Sequence, residues 1–211
     1  KLELEMKYSP EKLSIKKFKW LMGENSSVAI SGSITDYQSA GNYDLSIDMK
    51  NTRVSCTPAS NCFVYGSGFG RLLGKSFNNF LEKYNPNGTG HLDIHLSGSL
   101  DNPSEINISG TAEPEDISIN YHKFPYKVNH LNGKIIFNKK SVIIEKLTGK
   151  HDDVDIEIKG STKLTDEGFD YEMNISSPNM LLGEDLYWAL SKKKRDLIYT
   201  LSPQGRAKID Y

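Results

Sequence analysis

The chain has no long hydrophobic run, no excess of charge and almost no cysteine, and each shortage removes a class of function. No apolar stretch reaches the roughly 18 residues of a membrane span, and no signal peptide opens the sequence. The 26 basic and 27 acidic side chains nearly cancel. No global field therefore draws the chain to nucleic acid, an anionic membrane surface or a cationic partner. Cys56 and Cys62 are its only cysteines; they do not form a C-x-x-C motif, and without a His pair nearby they do not make a metal site. The sequence also lacks a G-x-S-x-G elbow, an H-E-x-x-H helix and a Cys-His signature. A non-catalytic protein without cofactor or metal is the expectation.

What the chain has in abundance is alternation. Apolar and polar residues trade places at Val28/Ile30, Tyr43/Leu45/Ile47/Met49, Leu92/Ile94/Leu96, Ile106/Ile108, Ile117/Ile119/Tyr121, Ile135/Phe137, Val142/Ile144, Val154/Ile156/Ile158 and Tyr171/Met173/Ile175. This period of two predicts strands with one apolar face. The breaks, such as SGSLDNPSE and TDEGFD, are rich in Gly, Asn, Asp and Pro and too short for a parallel crossover, so antiparallel hairpins are expected. The pattern is already running at Leu2, Leu4, Met6 and Tyr8, and the chain reads as a piece of a larger protein.

Two stretches change period. Leu73, Phe77, Phe80, Leu81 and Tyr84 fall at helical spacing, as do Leu186, Leu190, Leu197 and Leu201, predicting amphipathic helices over about 70–84 and 184–201. Each stops just before a proline, Pro86 or Pro203, where the preceding residue resists the helical conformation.

These helices belong to a repeat. SVAISGSIT aligns with DIEIKGSTK when Gly32 is set on Gly160, a shift of 128 residues that also sets Tyr43 on Tyr171 and Ile47 on Ile175. Past the helices the shift becomes 117 (203 − 86), setting NPNGTGHLDI on SPQGRAKIDY. Upstream, LSIKKFKW pairs with VIIEKLTG at one residue's offset. Residues 1–87 then make a partial first unit, 88–203 a complete unit, and 204–211 the first strand of a following unit. The expected fold is α+β and β-dominated: an antiparallel tandem β-repeat sheet with an amphipathic helix closing each unit.

The stretch from PNGTGHLDIHLSG through FPYKVNHLNGKIIF and VIIEKLTG to IEIKGS resembles the repeat of AsmA-like and TamB-like proteins of diderm bacteria. The likeness covers residues 88–163 well and the flanks more loosely, and its motifs are β-turn spacings rather than chemical signatures. It implies a periplasmic protein, anchored in the inner membrane outside this segment, with a curled sheet that carries phospholipid acyl chains toward the outer membrane. Adjoining repeats of the parent protein would be its neighbours. It also implies an oxidising compartment, which favours a Cys56–Cys62 disulfide over two buried thiols. Closing so short a loop contributes about 2 kcal/mol.

The candidate functional surface is the apolar face formed by Leu92, Ile94, Leu96, Ile106, Ile108, Ile117, Ile119, Val154, Ile156 and Ile158. Two occupants fit it equally: lipid chains in an open groove, or the chain's own side chains in a closed core, as in a structural or protein-binding spacer. Sharper motifs fail on spacing. GSGFGRLLGKS has Phe69 where a phosphate-binding loop needs glycine, and helical spacing puts Lys75 and Ser76 on a helix. His91, Asp93 and His95 share a strand face, but the histidines stand roughly 13 Å apart. His151, Asp152, Asp153 and Asp155 lack the Gly and Glu of a calcium loop and read as a solvated hairpin tip.

Overall fold

The computed structural model describes residues 1–22, 25–57, 60–64, 82–102, 105–165 and 168–210. Among them the chain is β-dominated, as its period predicts. The strands are β1 (Leu2–Tyr8), β2 (Lys12–Met22), β3 (Ser26–Thr35), β4 (Asn42–Thr57), β5 (Ser60–Val64), β6 (Asn87–Ser99), β7 (Asn107–Pro114), β8 (Ile117–Tyr121), β9 (Phe124–Asn138), β10 (Ser141–His151), β11 (Val154–Thr165), β12 (Gly168–Leu181) and β13 (Arg206–Asp210). They form one sheet in the order β1-β2-β3-β4-β6-β7-β9-β10-β11-β12-β13, with β5 paired to β4 and β8 to β9 and, at one residue, β6. Every pairing is antiparallel.

Short turns close the hairpins. Ser9 and Lys12 exchange backbone hydrogen bonds between β1 and β2. Between β9 and β10 the Asn138 side-chain oxygen accepts from the backbone N–H groups of Lys140 (2.8 Å) and Ser141 (2.9 Å), the local bonding that makes Asn a turn former.

The strand registers repeat. Pairs between β3 and β4 sum to 77 (Ile30↔Ile47), and those between β11 and β12 to 333 (Ile158↔Ile175); the difference, 256, is twice the 128-residue shift. Asp48↔Asp93 between β4 and β6 becomes Ser176↔Asp210 between β12 and β13 under shifts of 128 and 117. A shift of 129 carries Met6↔Ile15 of β1 and β2 onto Ile135↔Ile144 of β9 and β10. Five consecutive strands on the sheet path, β1-β2-β3-β4-β6, thus recur in register as β9-β10-β11-β12-β13.

The copies share an irregularity. Residues Ile15 to Phe18 of β2 span only Gly32 to Ile30 of β3, and Ile144 to Leu147 of β10 span only Gly160 to Ile158 of β11. Each bulge inserts one residue, so Ile15 and Phe18 stay on the same face although three positions apart. Gly32 permits this at φ +136, where an added Cβ would lie 2.1 Å from the Asp44 carbonyl oxygen.

The helical predictions need correction. The segment after β12 is not one helix over 184–201 but two, α1 (Glu184–Ala189) and α2 (Lys192–Leu201), broken where Leu190 and Ser191 turn extended. Leu186 and Ala189 are buried against the sheet, whereas no residue of α2 is buried and Leu197 and Leu201 face solvent. Leu190 and Leu197 share helical spacing, but the break removes their common axis. Of the helix expected over about 70–84, only 82–84 are described, and these are helical; the remainder lies outside the described residues. Ser202 takes the left-handed conformation after α2 and Asn85 does so after 84, each just before its proline.

Alanine at Gly32 meets both the unfavourable φ and the Asp44 carbonyl, so Gly32→Ala should cost about 2 to 3 kcal/mol in urea unfolding. Gly205 is the matched control: it sits at φ +95 with nothing within 4 Å of its added Cβ, so Gly205→Ala should cost clearly less. Equal losses would mean that the Asp44 contact is unimportant.

Candidate functional site

Directly paired residues of neighbouring strands point to the same side of a sheet, so the registers can be followed as rows. One row runs Leu2, Trp20, Val28, Met49, Leu92, Ala112, Ile135, Ile144, Gly160, Met173 across ten strands without a polar side chain. The next runs Leu4, Phe18, Ile30, Ile47, Ile94, Gly110, Phe137, Val142 before reaching Thr162. A third, Met6, Ile15, Gly32, Leu45, Leu96, Ile108, covers the first half of the sheet, and Gly133, Leu147, Ile158, Ile175 the second. Gly110 leaves room for its neighbour: its added Cβ would lie 2.8 Å from the Phe137 ring.

The sequence-predicted face divides between two clusters. Leu92, Ile94, Leu96, Ile106 and Ile108 join Val28, Ile47 and Met49 near the β3–β7 centre; Ile94 and Leu96 are buried, the others half-buried. Ile117, Ile119, Val154, Ile156 and Ile158 lie in a second cluster with Tyr126, Val128, Leu131, Leu147 and Met180, closed over by Leu186 and Ala189 of α1. Here Val154, Ile156 and Ile158 are buried, while Ile117 and Ile119 of β8 are half-buried off the main sheet path. Toward the ends the face opens to solvent: Leu4 is 53% exposed and Met6 49% on β1, and Met173 and Ile175 are exposed on β12.

The opposite face is polar and laced with ion pairs. Glu157 takes Lys146 at 2.8 Å and Lys159 at 2.5 Å, whose hydrogen bonds hold its carboxyl down at about 2. Glu3, bonded by Lys17 and Lys1, is likewise held at about 2. His91, Asp93 and His95 lie on this side, each histidine beside a different carboxylate: His91 is 2.9 Å from Glu115 and His95 is 3.7 Å from Asp44.

The hairpin tip at 151–155 is not the fully solvated turn expected. The His151 side chain is 17% exposed and its ring stacks on Tyr126 at 3.7 Å between centroids, close to Asp185 of α1. A contact between residues 34 positions apart carries no local signal, so sequence reasoning missed it. It also missed Tyr126, Leu131 and Met180, whose place in the core comes from folding β8, β9 and α1 together; Leu147 was obscured by the bulge that breaks the period of two. Cys56 and Cys62 stand on the adjoining strands β4 and β5, but their side chains lie outside the described residues, as does the glycine-rich segment 66–76.

A β-dominated α+β protein, built on one antiparallel sheet with an apolar face, is the class that these residues define. No protein-family model, curated protein or solved structure matches the chain.

The Glu157 ion pairs are open to direct titration. A carboxyl with a depressed pKa adds stability that is present above its ordinary value of 4.5 and is lost as pH falls toward 2. Carbon-detected NMR of Glu157 should give a midpoint near 2, moving up toward 4.5 in a Lys146→Met, Lys159→Met double variant. A midpoint indifferent to both lysines would show that they do not hold it.

Proposed function

We propose that the chain is a non-catalytic segment of an AsmA-like periplasmic protein whose apolar sheet face holds phospholipid acyl chains, in lipid transport or outer-membrane assembly. The parent protein is anchored in the inner membrane through a part outside this segment. The continuity of the apolar rows carries this reading. Ten strands give nine steps of about 4.8 Å, a stripe roughly 43 Å long, against about 15 Å for the chains of one bilayer leaflet. A globular core needs apolar residues only where layers meet, whereas this stripe extends to exposed Leu2 and Trp20 at one end and Met173 at the other.

The repeated registers support adjoining repeats as partners. β9 has β7 and β8 on its outer side, while its equivalent β1 has no strand there among the described residues. A closed-core spacer is the second reading, favoured by α1, which seals the cluster around Ile156 with Leu186 and Ala189.

The two are separated by charges placed on the exposed part of the face. Met6→Asp and Ile175→Asp sit where the carboxylate reaches water, so urea stability should change by no more than about 1 kcal/mol. Binding of a fluorescent phospholipid should nevertheless drop sharply. Glu172→Ala, paired with Ser161 on the polar face, should change neither. Ile156→Asp should lose several kcal/mol under either reading, because Ile156 is buried. No phospholipid bound by the parent chain, or binding indifferent to Met6→Asp and Ile175→Asp, would sink the lipid assignment and leave the spacer.

A further inference from the structure

The turn between β10 and β11 meets the first turn of α1 in a group of side chains that the apolar face does not explain. His151 Nδ1 lies 2.7 Å from the Lys127 carbonyl oxygen, an acceptor, so Nδ1 is the donor to it and Nε2 is the nitrogen turned toward α1. Nε2 is buried and has no hydrogen-bond partner. The polar atom it faces is Asp185 Oδ2 at 3.5 Å. Asp152, in the left-handed conformation, brings a second carboxylate, and one ligand atom from each of the three residues lies within 4.8 Å of the others.

The lysine and arginine side chains described around this group are paired with other carboxylates. Arg206 is taken by Asp153, donating to that side chain and to the Asn179 carbonyl. Asn179 fixes the turn from the other side, donating to the Asp153 carbonyl and accepting from the Asp155 N–H. Lys150 pairs with Asp155. Among the described residues neither Asp152 nor Asp185 has a Lys or Arg ion-pair partner.

We propose that His151, Asp152 and Asp185 bind a divalent first-row transition ion, with zinc the best fit. A histidine nitrogen and two carboxylate oxygens are zinc ligands, and three protein ligands leave a fourth position for water. The Lys127 carbonyl on Nδ1 is the outer partner that commonly orients a metal-bound histidine, and the Tyr126 ring fixes the plane. Tetrahedral ligands about 2.0 to 2.2 Å from one ion stand about 3.3 to 3.6 Å from each other, so the present spread of up to 4.8 Å needs to close by about 1.2 to 1.5 Å. Magnesium and calcium prefer all-oxygen shells and are disfavoured by the imidazole. The ion would tie the β10–β11 turn to α1, the helix that closes the apolar cluster.

Titration calorimetry of the whole chain with zinc chloride, in chelator-free buffer, should show one site with a dissociation constant in the micromolar range. Zinc should also raise the thermal midpoint, since it binds only the folded state. Asp185→Asn is the deciding variant: the side chain is 72% exposed and the change isosteric, so the zinc-free midpoint should hold while affinity falls at least about tenfold. His151→Gln should abolish binding; should losing the Tyr126 stack unfold it, Asp185→Asn decides alone. His91→Gln, removing a histidine that also lies beside a carboxylate, should bind zinc as the parent does. Absence of zinc binding at millimolar concentration, or equal affinity in Asp185→Asn, overturns the site.

Discussion

Everything in this fold depends on keeping apolar side chains on one side of a sheet more than ten strands wide. A slip of one residue at any pairing would turn every side chain of a strand to the wrong face. The cost is large, because each buried Ile, Leu or Val is worth about 1.5 to 3 kcal/mol and β11 alone buries Val154, Ile156 and Ile158. Bulges threaten this alternation, since an inserted residue inverts the pattern beyond it in the bulged strand alone. Both copies resolve the conflict in the same way: Ile15 and Phe18, or Ile144 and Leu147, bracket two residues, so apolar identity follows the face rather than the count. Gly32 opposite the first bulge gives the backbone the room that this requires.

The registers explain why so much of the fold was legible in the sequence. Period-two alternation located most of the strands, though not β5, and the Gly32–Gly160 alignment anticipated hairpins whose pairings differ by twice that shift. Local pattern could not say that α1 and α2 are separate. Leu186, Leu190, Leu197 and Leu201 keep helical spacing through a break at Leu190 and Ser191, because spacing counts residues and not hydrogen bonds. It also could not show which apolar positions are covered. Leu92 and Ile156 are indistinguishable as members of alternating strands, yet Ile156 is buried in the cluster that α1 closes and Leu92 is half-buried in the other.

The same limit applies to polar contacts. His91 falls inside β6 and His151 at the end of β10, and neither local pattern tells what surrounds the ring. The surroundings differ. His91 stands on the polar face beside Glu115, whereas His151 ends β10 on the apolar side, opposite Val154, where the Tyr126 ring and the Lys127 carbonyl fix its orientation. Burial makes an orphan nitrogen costly at one site and unimportant at the other.

Equivalent strands with different neighbours show what a further strand would contribute. Met6 and Tyr8 of β1 occupy the positions of Ile135 and Phe137 in β9. Ile135 and Phe137 are half-buried where β7 pairs beside them, while Met6 is 49% and Tyr8 71% exposed. A strand laid along β1 in the manner of β7 would cover part of Leu2, Leu4, Met6 and Tyr8 and pair a free row of backbone groups. Glu3 and Glu5 on the other side of β1 are already matched by Lys17 and Lys16, so such a strand would meet a polar face with its charges largely paired. The edge thus combines an uncovered apolar row with a satisfied polar one, a combination that favours sheet extension over face-to-face stacking.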